Sequence, residues 1–472
     1  MGERLRAPAD RIVSSIARVA ARGSRHLLLS WPVLIVIVLL LGGGGTALAG
    51  CKLEWDCHGH SLPVVGGLFP APYRILGNLE HRGTGKTSLP HGFVQTTVVS
   101  GLNLPTSFTR LPDGRLLIAE KAGLVKLARP GGRPRVVLDL SREVDNWADR
   151  GLLDIEASDD FKRTGYVYLL YSYDDPQDKP DSEGIRTARV SRVTMTGNSI
   201  SKKSEKVILG SISTGSCDDH PPGSDCIPVD FSHSGGAIRF APDGSLFIST
   251  GDGSGGGKNY IKDALRVQNI DSLAGKILHV SPEGKGLPDN PFWTGNPNAA
   301  RSKVWAYGLR NPFRFNIRPG TNEIYLGDVG SNLWEEVDIV AKPGENFGWP
   351  CYEGQVHSPL YKGQAVCRRL YAKGRAAVKF PLVTYPRATV IGGAFYTGST
   401  WPSQFHGAYV YGDWERSWIK YLTLESNRYN PTPKDLAAQA AGPVDLEFGP
   451  DGDLYYVALN IGQIRRISFR GG

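Results

Sequence analysis

The sequence predicts an all-β protein built as a six-bladed β-propeller, and three observations carry that reading. Glycine is abundant (58 of 472 residues) and aromatic side chains make up 10%, while long helix-forming runs are scarce. That balance favours many short strands joined by tight turns. A strand–turn–strand pattern recurs six times between Gly92 and the C-terminus. The copies are unevenly spaced, as they become when insertions sit in loops. Units of this kind bury their faces only against one another, which closes them into a ring.

The first 50 residues lie outside that pattern. Residues 1–26 hold Arg4, Arg6, Arg11, Arg18, Arg22 and Arg25 against Glu3 and Asp10, a surplus of four positive charges and half of the chain's formal +8. Residues 27–50 follow as the apolar run Leu27–Leu41 and a Gly/Ala-rich tail, so a transmembrane or signal helix is expected before the propeller. The basic flank assigns residues 1–26 to the cytoplasm and the body of the chain to the outside. The apolar run is short for a span unless the tail up to Ala49 is included. Two forms of membrane tether are open. One is an uncleaved signal anchor; the other is a lipoprotein attached through Cys51, because Leu48-Ala-Gly-Cys51 resembles a lipoprotein cleavage box. Since the positive charge is partly a topology signal, it gives no ground for a nucleic-acid partner.

The six cysteines form three close pairs, Cys51/Cys57, Cys217/Cys226 and Cys351/Cys367, and an oxidising compartment makes local disulfides the expectation. Residues 51–91 show no periodicity and read as a stalk. The propeller is assigned to residues 92–472. Its six units are Phe108–Ile118, Leu153–Asp160 with Gly165–Tyr173, Ala237–Thr250, Phe315–Leu326, Ala394–Tyr396 with Ala408–Tyr411, and Val444–Val457. Val94–Val99 is expected to close the ring against the last unit. Stretches 196–230, 254–300 and 341–390 read as loop insertions.

The third unit carries the chemistry. Ala241-Pro-Asp-Gly244 is a turn in which proline presets φ and glycine tolerates a positive φ. Two strands of equal length therefore bring His233, before the first, and Asp252, after the second, to the same end of the hairpin. A histidine beside a carboxylate is fixed in tautomer and suits a general base. On spacing alone, a solvated histidine and a turn aspartate are the favoured reading. In the fourth unit, Arg310 and Asn311 stand beside Pro312, where a guanidinium and an amide suit an anionic group. The Gly327–Ser331 turn offers carbonyl oxygens of the kind Ca²⁺ takes. Gly251–Lys258 fails as a phosphate loop, because Asp252 and Asn259 break the pattern. Asp218, Asp219 and His220 read as part of a disulfide-tied loop rather than a metal site. Neither G-x-S-x-G nor H-E-x-x-H occurs.

Seven stretches, in order, resemble the glucose/sorbosone dehydrogenase family. They are Arg150-Gly-Leu-Leu-Asp154, His233-Ser-Gly-Gly236, Gly251-Asp-Gly253, Ser272-Leu-Ala-Gly-Lys276, Tyr307-Gly-Leu-Arg-Asn-Pro312, Gly327-Asp-Val-Gly330 and Glu345-Asn-Phe-Gly-Trp-Pro350. The family comprises soluble PQQ-dependent glucose dehydrogenases, aldose sugar dehydrogenases and Hedgehog-interacting-protein-like propellers. The resemblance implies a sugar substrate oxidised at its anomeric carbon, with hydride passing to the quinone cofactor PQQ and an unspecified final electron acceptor. It implies that His233 is the base, that Asp252 orients it, and that Arg310 and Asn311 hold the quinone. The carbonyls of Gly330 and Ser331 would bind Ca²⁺. The sequence also departs from the family. Asp149 or Arg150 stands where the glucose enzymes have glutamine. Gly442-Pro-Val444 replaces two arginines, and Glu415 replaces a lysine. Arg416 and Arg387 are the cations left to take the carboxylates of PQQ. Two alternatives follow: a non-catalytic propeller that binds sugar or protein, and a Ca²⁺-dependent lactonase-like hydrolase.

Overall fold

The computed structural model describes residues 87–175, 181, 184, 186–230, 232–255 and 260–471. The basic segment, the expected transmembrane or signal helix, most of the stalk, and Cys51 and Cys57 lie outside the described residues. Among the described residues no helix is long and apolar enough to cross a membrane.

Six antiparallel sheets follow one another along the chain as blades 1 to 6. Blade 1 runs Pro105–Arg110, Leu116–Glu120, Leu124–Ala128 and Arg135–Asp139. Blade 2 runs Leu152–Ala157, Tyr166–Tyr173 and Arg186–Thr196, with Ser199–Leu209 and Ile227–Val229 both paired to its third strand. Blade 3 is Ile238–Phe240, Leu246–Thr250, Lys276–Val280 and Val304–Tyr307. Blade 4 is Pro312–Ile317, Ile324–Asp328, Trp334–Val340 and Val383–Pro386. Blade 5 is Val390–Phe395, Tyr409–Asp413, Trp418–Leu422 and Lys434–Ala437. In blade 6, Pro443–Phe448, Leu454–Ala458 and Gln463–Phe469 are joined by the first strand of the domain, Phe93–Val99, with Phe93 opposite Phe469. The ring therefore closes as the sequence predicts.

Residues 196–230 depart from expectation, because Ser199–Leu209 is a paired strand and not loop. Its charged run Lys202-Lys-Ser-Glu-Lys206 hides an edge strand, and such charges are how exposed edges are kept from pairing with other chains. Likewise Val383–Pro386 is the outer strand of blade 4, reached after a long insertion. The second strand pair of the sequence reading also ends earlier: strand Leu152–Ala157 gives way to a one-turn helix, Phe161–Thr164.

The apolar faces pack between neighbouring blades. Tyr168, Leu170 and Val190 of blade 2 meet Ile238, Ile248 and Leu278 of blade 3, and burying each such side chain is worth about 1.5–3 kcal/mol. The inner strands line the central channel, where polar side chains replace apolar ones. Arg239 donates to Asp154 at 3.0 Å and lies 3.5 Å from Asp445. Arg314 bonds the carbonyls of Thr106, Leu153 and Gly236, each at 2.7–2.8 Å. Through its two terminal nitrogens this buried guanidinium ties four blades together. Disulfides Cys217–Cys226 and Cys351–Cys367 form as expected.

Candidate active site

The blade 3 hairpin delivers its two polar residues to one end of the channel. Ile238 pairs with Ile248 and Phe240 with Leu246, and the turn is pinned by Ser245, whose N–H and Oγ both donate to Asp243. At the open end, the segment 233–235 lies directly on the end of the second strand. A Cβ at Gly251 would stand 1.9 Å from the carbonyl oxygen of His233, and one at Gly235 would stand 2.6 Å from the Gly251 nitrogen. Only a chain lacking both side chains approaches so closely. His233 itself adopts φ 57°, a left-handed conformation that costs a non-glycine residue about 1–2 kcal/mol.

That approach puts His233 Nδ1 2.9 Å from Asp252 Oδ1. Asp252 is fully buried, and the His233 side chain is 13% exposed. The second carboxylate oxygen, Oδ2, accepts from the indole Nε1 of Trp349 at 2.8 Å, and Oδ1 also accepts from Ser254 N–H at 2.8 Å. Burial alone would push the Asp252 carboxyl up. The His233 ring, its hydrogen bond and Arg310 outweigh burial and hold the carboxyl below its ordinary range. With Nδ1 engaged, Nε2 is the ring atom left for a substrate.

Arg310 meets the pair through the backbone, its carbonyl accepting from Asp252 N–H at 2.7 Å. Its guanidinium lies 5.4 Å from the centre of the Trp349 ring. One terminal nitrogen donates to the carbonyls of Val329 (2.8 Å) and Gly330 (2.5 Å), while Nε is buried with no partner among the described residues. Ser234 Oγ is buried and unpartnered in the same way. Asn311 turns its Oδ1 to Gly235 N–H at 3.2 Å. The structure thus brings together His233, Asp252, Arg310 and Asn311.

The remaining sequence-predicted residues are placed differently. Asp149 accepts from Ser232 Oγ at 2.7 Å, on the segment leading to His233. Arg150 is fully buried, donating to Asp145 at 2.9 Å and to the Asp230 carbonyl at 2.9 Å. Arg416 is exposed and donates to the carbonyls of Pro386 (2.6 Å) and Arg387 (3.2 Å). The Gly330 carbonyl faces Arg310, and Ser331 N–H donates to Glu353 Oε1. That one oxygen also collects the N–H groups of Asn332, Leu333 and Trp334.

Beside the turn, a small cavity of about 10 Å³ is lined by Arg310, Asp328, Gly330, Glu336 and Glu353, room for one water-sized group. Burial pushes the Asp328 carboxyl up to about 7, against the N–H groups of Arg310 and Asn311 that it accepts. Glu336 is pushed well up by burial and by Asp338 and Asp328. Asp338 is fully buried, and neither of its carboxylate oxygens has a hydrogen-bond partner among the described residues. Among the described residues no three acidic or histidine side chains converge tightly enough to form a ready-made ligand set, so a hard cation would also need main-chain carbonyls.

Sequence reasoning missed Trp349 as a member of the site. It arrives from the blade 4 insertion, whose loop is tied by Cys351–Cys367 and whose Tyr361 ring stands edge-on to Trp349 at 5.4 Å. Its motif Glu345-Asn-Phe-Gly-Trp-Pro350 is visible in the sequence, but nothing there says which carboxylate the indole reaches.

Residues 102–466 match the glucose/sorbosone dehydrogenase family. The chain belongs to that family. Among its relatives is the aldose sugar dehydrogenase YliI of Escherichia coli, 25% identical across 78% of this chain and 91% of that one. The mouse Hedgehog-interacting protein is 24% identical across 76% of this chain, which spans 49% of the longer protein. Among solved structures, the PQQ-bound aldose sugar dehydrogenase of Streptomyces coelicolor superposes with a TM-score of 0.59 at 22% identity, covering 81% of this chain and 99% of that one. At that identity the superposition shows the shared propeller alone. At family level the protein is a sugar-dehydrogenase-type propeller.

Proposed function

We propose that the chain oxidises the anomeric C1 hydroxyl of an aldose to the lactone, with bound PQQ as acceptor. The observation that carries this reading is the 2.9 Å His233–Asp252 pair, held beside Arg310 at one mouth of the channel. The unpartnered Nε of Arg310 and Oγ of Ser234 fit a planar ligand rich in acceptor oxygens. PQQ bound there would supply a two-electron, hydride-accepting quinone. His233 Nε2 takes the C1 hydroxyl proton as hydride leaves C1, and the lactone carbonyl forms. Asp252 keeps the ring in the productive tautomer and stabilises the imidazolium that results. Arg310 donates to the ligand oxygen on which negative charge grows. Ca²⁺ is proposed at the adjoining turn, where Asp328 and Glu336 join the carbonyls of Gly330 and Ser331.

One observation favours the non-catalytic binding reading. Asp149, Glu415 and Gly442–Val444 occupy places where the resemblance calls for glutamine and cations, and Arg416 is engaged by carbonyls. The deciding experiment uses the full chain with PQQ and Ca²⁺, following aldose-dependent reduction of an artificial electron acceptor. Turnover is expected, and His233→Ala is expected to abolish it while the protein stays folded. A variant that turns over unchanged would remove His233 as base; failure of PQQ to bind in a titration would favour the binding propeller. The same preparation tests the tether: the full chain is expected to sediment with membranes.

A further inference from the structure

At its other end the channel opens into a larger cavity that the proposed reaction does not use. It measures about 760 Å³ and lies at the turns that join first and second strands, with Pro112, Pro319 and Pro450 on its rim. Those turns close the inner strands that His233 and Arg310 open, so a six-residue strand, about 20 Å long, separates the two sites. Phe240, Phe395 and Phe448 form apolar wall, and Glu156, Glu447 and Arg239 form the charged floor.

The floor is not neutral. Deeper in the channel, Asp154 and Asp445 are matched by the two arginines: Arg239 lies 3.0 Å from Asp154, and Arg314 lies 3.5 Å from Asp445. At the rim, Arg110 lies over the Tyr455 ring at 4.2 Å and acts on Glu447, while Asp159 lines the same wall. Asp154, Asp445, Asp159, Glu156 and Glu447 thus face Arg239, Arg314 and Arg110, so carboxylates outnumber guanidiniums by two, and Glu156 and Glu447 are the ones on the floor. Glu156 comes no nearer than 3.8 Å to Arg239 and its side chain is 17% exposed. Among the described residues neither carboxylate accepts a hydrogen bond, although a cavity wall gives each an unobstructed side. Two surplus carboxylates beside three aromatic rings suit a cation that also carries apolar surface. A bare metal ion suits the site poorly: the space is far too large, and no three ligating side chains converge among the described residues.

We propose that this vestibule binds an aliphatic ammonium ion of the diamine or polyamine class, its ammonium groups on Glu156 and Glu447 and its methylene chain against the phenylalanine rings. Proton linkage follows. Burial, with Asp445 next, pushes the Glu447 carboxyl up to about 8, and burial together with Glu447 pushes Glu156 well up, against Arg239. Amine binding therefore displaces protons and strengthens as pH rises towards 8.

Isothermal calorimetry on the full chain tests this with putrescine and spermidine at pH 8.5 and pH 6, in buffers of different ionisation enthalpy. Binding with proton release at pH 8.5, weaker by at least tenfold at pH 6, is expected. Glu447→Gln should weaken it at least tenfold. Asn316→Lys, which sets an ammonium group into the vestibule wall, should abolish binding and raise Tm. No heat with either amine at pH 8.5, unchanged affinity in both variants, or displacement of the amine by millimolar Ca²⁺ or by glucose would overturn the proposal. Calorimetry reads the vestibule without sugar turnover, so its failure and that of the His233 site are told apart.

Discussion

The same dipeptide ends the second strands of blades 4 and 5, Gly327-Asp328 and Gly412-Asp413, and directly follows that of blade 3, Gly251-Asp252, yet blade 3 uses its aspartate differently. Asp328 accepts the N–H groups of Arg310 and Asn311, and Asp413 accepts that of Thr389, in each case pinning the segment that enters the blade's inner strand. Both carboxyls are pushed up, chiefly by burial. In blade 3 the segment has bent back through His233 at φ 57°, so from that segment Asp252 meets an imidazole ring and no peptide N–H, its one backbone donor being Ser254. Burial is the largest single influence on Asp252, but the ring, its hydrogen bond, Arg310 and the Ser254 N–H together outweigh it and hold the carboxyl below its ordinary range. Where one partner changes, a structural clasp repeated around the ring becomes the pair proposed to orient a base.

The largest test of this contrast is a pair of matched substitutions. Asp252→Asn is expected to lower kcat by roughly 10²- to 10⁴-fold, because an amide cannot fix the His233 tautomer, while the protein stays folded. Asp328→Asn should cost far less in kcat and should show first in thermal stability, through one lost bond to a backbone N–H. Equal kcat losses would erase the distinction between clasp and pair. Next comes Trp349→Phe, which keeps a ring against Arg310 and removes only the indole N–H on Asp252. Loss of a hydrogen bond to a charged group, about 1.5 kcal/mol, corresponds to a kcat reduction of roughly tenfold, with KM little changed. A KM effect with kcat intact would make Trp349 a substrate contact instead.

Much of this was legible in the sequence. The Asp-Gly turns at 243–244 and 451–452 fix hairpins locally, so six units and the meeting of His233 with Asp252 follow from short-range rules. What the sequence hides is long-range. Trp349 reaches Asp252 across 97 positions, from an insertion whose path no local pattern dictates. The orientation of the Gly330 carbonyl towards Arg310 depends on four N–H groups gathered by Glu353, a residue from the same insertion. The charged channel floor arises because Asp154, Arg239, Arg314 and Asp445 sit at inner-strand positions of four different blades, and only ring closure brings them together.

A smaller effect tests the cation proposed at the blade 4 turn. Protons would compete with Ca²⁺ for Asp328 and Glu336, whose carboxyls hold protons more tightly than in the unfolded chain. A ligand that binds only the folded state raises Tm by mass action. Millimolar Ca²⁺ should therefore raise Tm by several degrees at pH 8 and by little at pH 5, in scanning calorimetry of the full chain. An equal rise at both pH values would place the ion elsewhere, and Glu336→Gln should remove the pH 8 increment.

The smallest effect gives the contrast between the two aspartates opposite signs. Asp252 has a folded pKa below the ordinary 3.8, so its ionisation contributes stability above about pH 4, lost as pH falls through the folded value. Asp328 has a folded pKa of about 7 against 3.8. Its contribution is therefore full below about pH 4 and is lost as pH rises through 7. Thermal denaturation from pH 3 to pH 8 should show the native protein falling off on both limbs. Asp252→Asn should flatten the acid limb alone, and Asp328→Asn the limb between pH 4 and 7 alone, each by a few degrees. Curves for the two variants that run parallel to one another would mean that both carboxylates sit in one electrostatic environment, and the imidazole would then have no special hold on blade 3.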